Sequence, residues 1–175
     1  LDDATFSMTA TCDGGTATIA VTTGGTFTFT TPPSDAAVIN ASTGTITNGT
    51  SGASYGVTYT TSGACSATSS QNVTVLTTGD ATFSMTATCD GGTATIAGTP
   101  GGTFTFTTPP SGTAVINAST GTITNGTSGA SYGVTYTTSG ACSATSSQNV
   151  TVLTTDDATF SMTATCDGGT ATIAG

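Results

Sequence analysis

Five cysteines are the residues most able to do chemistry in this chain: Cys12, Cys65, Cys89, Cys142 and Cys166. The chain has no Lys, Arg or His, and its nine acidic residues, all Asp, give a formal net charge of −9. Those facts narrow what the thiols can do. A Ser or Cys nucleophile needs a neighbouring base to activate it, and the usual partners are missing, so the residues point away from an enzyme. Zinc needs about four N or S ligands, and there is neither a CxxC pair nor a His. Disulfide bonding fits and implies an oxidising compartment; the alternative is reduced, buried thiols.

The acidic residues suggest a second chemistry. Asp2, Asp3, Asp80, Asp156 and Asp157 fall at repeat boundaries, and strand counting projects Asp13, its counterpart Asp90, and Asp35 toward the same places. Clustered carboxylates there would suit Ca²⁺, which takes roughly six to eight oxygens. Against this, Asp2 and Asp35 are replaced by Gly79 and Gly112 in the next copy. The alternative is a solvated acidic linker with no cofactor. The charge balance also excludes partners: with no basic group there is nothing to neutralise nucleic-acid phosphates or an anionic membrane surface. No apolar run approaches the ~18 residues of a membrane span.

The elements that position these residues follow from a repeat. Asp3-Ala4-Thr5-Phe6 returns as Asp80-Ala81-Thr82-Phe83 and again, at the same spacing, as Asp157-Ala158-Thr159-Phe160. Residues 2–78 and 79–155 differ at five positions: Asp2/Gly79, Val21/Gly98, Thr23/Pro100, Asp35/Gly112 and Ala36/Thr113. Residues 156–175 repeat 2–21 with one change, Gly175 for Val21. The period is too long for a solenoid coil of ~20–50 residues and suits a small domain. Two domains, 2–78 and 79–155, are therefore expected, with 156–175 as the first strands of a third that the fragment cuts short.

Within each repeat, apolar residues alternate with Thr and Ser. Phe6, Met8 and Ala10 share one phase, as do Ala17 and Ile19, Phe27 and Phe29, Tyr55, Val57 and Tyr59, and Val73 and Val75. Val38-Ile39 and Ile46 read as two short strands. Gly-, Pro- and Asn-rich turns separate all of these. Seven short strands with one apolar face each predict an all-β, two-sheet sandwich, with successive sandwiches stacked end to end as a rod.

Two arguments about cysteine pairing oppose each other. Cys12 continues the apolar phase of its strand, and Cys65 is in phase with Tyr59 and Val57, which favours Cys12–Cys65 and, by the repeat, Cys89–Cys142. Cys166 then finds its partner outside the fragment. In a seven-strand sandwich, however, the first and last hairpin turns lie at opposite poles, roughly 25 Å apart, and a disulfide tolerates at most ~7 Å between Cα atoms. That argument directs Cys12 to Cys142; Cys65–Cys89 is the third possibility.

Three segments carry a family resemblance: Gly25-Thr26-Phe27-Thr28-Phe29, Ile39-Asn40-Ala41-Ser42-Thr43-Gly44-Thr45-Ile46, and Tyr55-Gly56-Val57-Thr58-Tyr59-Thr60-Thr61-Ser62-Gly63-Ala64-Cys65. They resemble the Ig-like tandem repeats of giant Bacteroidota cell-surface adhesins, including the type IX-secreted gliding-motility adhesins. The resemblance covers the whole repeat. It implies an Ig-like sandwich at the bacterial cell surface, no catalytic residues, and an adhesive or structural role. The partner would be a surface polysaccharide or another cell-surface ligand. A chain that associates with copies of itself in an extracellular filament or surface layer is the alternative.

Two further readings concern surface residues. The Thr-x-Thr ladders could bind ice, although a twisted sheet spoils a flat array. Asn40, Asn48 and Asn72 begin glycosylation sequons, as do Asn117, Asn125 and Asn149.

Overall fold

The structure, a computed structural model, describes residues 2–173. The chain is all-β, with sixteen strands and no helix among those residues. It forms two compact units, Leu1–Asp80 with Ser139–Ala144, and Ala81–Thr138 with Thr145–Gly175. The short segment Ser139–Ala144 comes from the second repeat but belongs to the first unit, and the cysteine chemistry depends on it.

Unit 1 contains strands β1 (Phe6–Ala10), β2 (Gly15–Ile19), β3 (Thr26–Phe29), β4 (Val38–Ile39), β5 (Ile46–Thr47), β6 (Ser54–Thr60) and β7 (Thr68–Thr74). They form two antiparallel sheets, ordered β1-β2-β5-β4 and β3-β6-β7. The apolar face of each lines one core. Tyr59, Phe27, Ile46 and Val57 are each at most 1% exposed. Burying side chains of this size contributes about 1.5–3 kcal/mol apiece. Phe6 of the first sheet meets Phe27 of the second edge-on, ring centres 5.5 Å apart, and Phe27 lies 4.4 Å from the Tyr59 ring. The period-two alternation therefore ends up where a sandwich needs it, with apolar side chains inward and Thr and Ser outward.

Local chemistry sets the turns. The Asn40 side chain accepts hydrogen bonds from the backbone N–H of Ser42 and Thr43, and the Asn40 carbonyl accepts one from Gly44. Gly44 then turns through φ +67° against Phe27 and Ala17, where a side chain would collide. This tight reversal joins the two-residue strands β4 and β5. Gly25 is needed for a different reason: a Cβ there would lie 2.2 Å from the Thr60 carbonyl oxygen. Its bare backbone lets the Gly25 N–H reach the Tyr59 hydroxyl, which in turn donates to the Thr22 carbonyl.

Unit 2 repeats this arrangement. Its strands are β8 (Phe83–Thr88), β9 (Gly91–Ile96), β10 (Thr103–Phe106), β11 (Val115–Ile116), β12 (Ile123–Thr124), β13 (Ser131–Thr137) and β14 (Thr145–Thr151). The sheet orders, β11-β12-β9-β8 and β10-β13-β14, match those of unit 1. Strands β15 (Phe160–Thr165) and β16 (Gly168–Ile173) pair only with each other, as a hairpin.

Candidate functional site

Cys12 lies in the β1–β2 turn, one position past Thr11, whose N–H donates to the Gly14 carbonyl. Its disulfide partner is Cys142, in the loop between β13 and β14, with 5.5 Å between Cα atoms. This corrects the favoured pairing. Cys12 is not bonded to Cys65, nor Cys89 to Cys142; Cys65, Cys89 and Cys166 are exposed thiols.

Strand geometry gives the reason. The Leu76 N–H, just after β7, donates to the Thr11 carbonyl, so the Cys12 turn sits at the finishing end of β7. Cys65 precedes the starting end, and the seven residues of β7 separate the two. At ~3.3 Å per residue that is about 23 Å, far beyond the ~7 Å limit. The phase argument fails because β1 ends at Ala10 and β6 at Thr60. Beyond those ends the alternation no longer says which way a side chain points. Cys65 is exposed, and Cys12 meets solvent on one side and its partner loop on the other.

The loop around Cys142 is held by more than sulfur. The Gly79 N–H donates to the Cys142 carbonyl at 2.9 Å. Cys12 Sγ lies 3.4 Å from the Ala141 carbonyl oxygen; the bonded sulfur carries no proton, so this is packing and not a hydrogen bond. Cys142 is 7% exposed, whereas its counterpart Cys65 is exposed. Gly140 adopts φ +110°, while its counterpart Gly63 is not among the positive-φ glycines. The same loop sequence thus takes two conformations, one bonded and one free. The hairpin turns differ in parallel. Around free Cys89 the β8–β9 pairing runs to Thr88–Gly91, whereas around bonded Cys12 the pairing stops at Ala10–Gly15.

The Asp residues have mostly local partners. Asp3 accepts from the Thr5 hydroxyl and N–H, which lowers its pKa, and Asp157 is lowered likewise by the Thr159 N–H and hydroxyl. Asp13 accepts from the Asn48 N–H and Asp90 from the Asn125 N–H, each at 3.0 Å, tying the first hairpin to the turn after β5 or β12. Asp80 has an interaction partner of its own, and Asp156 is exposed. The Asp2 carboxylate lies against the Gly63 backbone, with Oδ2 buried and unpartnered. Among the described residues no three Asp or Cys side chains gather in a group able to hold a metal ion.

Asp35 is the most strongly coupled of them. It accepts from the Thr50 hydroxyl, the Tyr55 hydroxyl and the Ala37 N–H. The Thr50 hydroxyl, then the Tyr55 hydroxyl, lower its pKa from 3.8 to about 2. A carboxylate whose folded pKa is depressed stabilises the fold above its unfolded pKa and loses that contribution as pH falls through the folded value. Asp35→Ala should therefore destabilise unit 1 at neutral pH, and the gap to the unsubstituted chain should narrow as pH falls from 3.8 to about 2. Unit 2, with Gly112 at this position, should show no matching dependence. Urea midpoints measured against pH check this; a gap that persists in full below the folded pKa would contradict the assignment.

Beside Asp35, an open groove of about 620 Å³ runs along the outer face of unit 1, lined by Thr30, Pro33, Tyr55, Gly56 and Asn72. Unit 2 has its counterpart, of about 510 Å³, along Thr107, Pro110, Tyr132, Gly133 and Asn149. Cross-strand hydroxyls flank both: Thr30 to Thr58 at 2.8 Å and Thr58 to Ser70 at 2.9 Å, with Thr107–Thr135–Ser147 repeating the run. These Thr residues satisfy one another across the strands. Sequence reasoning missed the grooves because they arise where the Pro32-Pro33 turn folds back beside β6, a tertiary event with no local signal.

No family model matches the chain, and no match was found among curated proteins.

Proposed function

We propose that this chain is part of the repeat region of an extracellular cell-surface adhesin, built from Ig-like sandwiches and serving as a stalk or as a multivalent adhesive array without catalytic activity. The strand order supports the Ig-like reading. First-second-fifth-fourth in one sheet and third-sixth-seventh in the other is the ABED/CFG arrangement of constant-type Ig sandwiches. The observation that carries the functional reading is the Cys12–Cys142 bond, which joins residues 130 positions apart across two repeats. A bond within one domain stabilises that domain; a bond joining consecutive repeats also resists their extension, which is what a stalk under tension requires. Its formation also calls for an oxidising setting, with which a place at the cell surface is compatible.

The adhesive part rests on the two grooves. They are open, polar and repeated, and they suit weak contacts to a hydroxyl-rich ligand such as a surface polysaccharide. Repetition turns weak contacts into avidity. Beads carrying the chain at graded densities, washed under flow over polysaccharide-coated surfaces, test this. Retention should rise more steeply than density. No retention at any density would remove the adhesive array and leave the stalk.

A further inference from the structure

The two grooves differ in one functional group. In unit 1 three donors surround the Asp35 carboxylate: the Thr50 hydroxyl at 2.6 Å, the Tyr55 hydroxyl, and the Ala37 N–H at 3.1 Å. They favour its charged form, the Thr50 hydroxyl and then the Tyr55 hydroxyl holding the Asp35 pKa at about 2. Unit 2 keeps all three donors, as Thr127, Tyr132 and Ala114, but has Gly112 in place of the acid. The donor framework is unchanged. The Tyr132 hydroxyl accepts from the Thr127 N–H at 3.0 Å, as Tyr55 does from Thr50 at 2.8 Å. Tyr132 is 8% exposed and Ala114 6%. Among the described residues nothing accepts from the Tyr132 hydroxyl, the Thr127 hydroxyl or the Ala114 N–H. Buried donors left this way carry a desolvation cost that an acceptor would remove. The neighbouring Thr113 does not stand in for the acid, since its hydroxyl donates to the Asn125 carbonyl.

There is also room for an acceptor. A Cβ built on Gly112 meets only Thr127 Oγ1, at 3.5 Å, an ordinary contact distance. Thr127 and Tyr132 both line the groove of about 510 Å³, so the donors face open space beside Ser131 and Asn149, which are polar partners for ring hydroxyls.

We infer that the groove of unit 2 binds the carboxylate of an acidic sugar, a uronic acid, held by the Thr127 and Tyr132 hydroxyls and the Ala114 N–H as their counterparts hold Asp35. In unit 1 the Asp35 side chain fills the same cradle and shuts out external acids, so two nearly identical domains select different sugars. The sugar ring rests on the polysaccharide reading of the grooves; the carboxylate cradle does not. Three neutral donors bind an anion weakly, and the net charge of −9 opposes it, so single-site affinity is low and is measured at high ligand concentration.

The test is titration of the full chain, nitrogen-labelled for NMR, with sodium glucuronate, sodium acetate and methyl glucoside, ionic strength being held with sodium chloride. Glucuronate should shift the Ala114 and Thr127 amide signals and leave those of Ala37 and Thr50 in place. Acetate should shift the same two signals more weakly. Methyl glucoside, which lacks the charged acceptor, should bind at least ~10-fold more weakly than glucuronate. Gly112→Asp should abolish the response by supplying its own carboxylate. Asp35→Gly should make Ala37 and Thr50 respond, and unit 2 shows that the sandwich accepts Gly there. No glucuronate shift at Ala114, a response that survives Gly112→Asp, or methyl glucoside binding as tightly as glucuronate would overturn the inference. Equal affinity for acetate and glucuronate would overturn the sugar. The expected shifts together with no bead retention would support the cradle and count against the polysaccharide array.

Discussion

Pulled from its two ends with the Cys12–Cys142 bond closed, the chain should extend to no more than about 160 Å, and reduction should release roughly 450 Å more, at ~3.5 Å per extended residue. The force path explains the gap. Tension enters at the first residue, reaches Cys12, crosses the sulfur bridge to Cys142 and leaves along the rest of the chain. Only positions 1–12 and 142–175 carry the force, and they supply the shorter length. The sequence separation of 130 spanned by the bridge supplies the hidden one. Strands β2 to β13 lie wholly inside the bridge, so pulling cannot lengthen them whatever their own stability. The bond also spans more sequence than one repeat, since Cys12 recurs as Cys89, well before Cys142. A bridge of the same kind starting at Cys89 would therefore begin inside the first one, so successive bridges would overlap. Single-molecule extension with and without dithiothreitol makes the comparison. Release of the long segment under non-reducing conditions would mean the bridge is not in the force path.

The sandwich was legible in the sequence because its strands announce themselves through side chains. Tyr55, Val57 and Tyr59 alternate with Gly56 and Thr58, and all three enter the core. Even the two-residue strands β4 and β5 could be read, since Asn40 and Gly44 mark the reversal between them. Strand β7 was legible only in its second half. Ser69, Ser70, Gln71 and Asn72 give no apolar phase, and only Val73 is buried within it. That strand lies at the margin of its sheet, held by backbone pairing to β6 along its whole length, Thr60–Thr68 to Ser54–Thr74. Backbone pairing leaves no trace in side-chain type. The cysteine connectivity was obscured for a related reason. Periodicity indicates a direction only while the strand continues, and Cys12 and Cys65 both lie past strand ends. The length of β7 was the better guide, since it keeps the two turns apart whatever the side chains prefer.

Cys12→Ser and Cys142→Ser should each lower the stability of the full chain by about 2–5 kcal/mol, and by the same amount, while Cys65→Ser, Cys89→Ser and Cys166→Ser should each change it by less than about 0.5 kcal/mol. The first pair share one bond, so removing either partner removes the whole constraint. The chain-entropy model puts the upper end near ~5 kcal/mol for a sequence separation of 130, because a loop that long costs the unfolded chain the most freedom. The other three thiols are exposed, and serine in their place removes no bond. Measurements belong at low protein concentration, where contacts between copies do not contribute. Dithiothreitol should bring the unsubstituted chain down to the level of Cys12→Ser and leave that variant unmoved. Thiol titration in denaturant should find three free groups per unsubstituted chain, as the structure has. Pairing within each repeat predicts a different pattern: one free thiol, and a loss at Cys65→Ser as large as at Cys12→Ser. The two schemes diverge at Cys65 and Cys89, each of which costs nothing under one and a full bridge under the other, so substituting either decides between a staple joining repeats and a staple inside each.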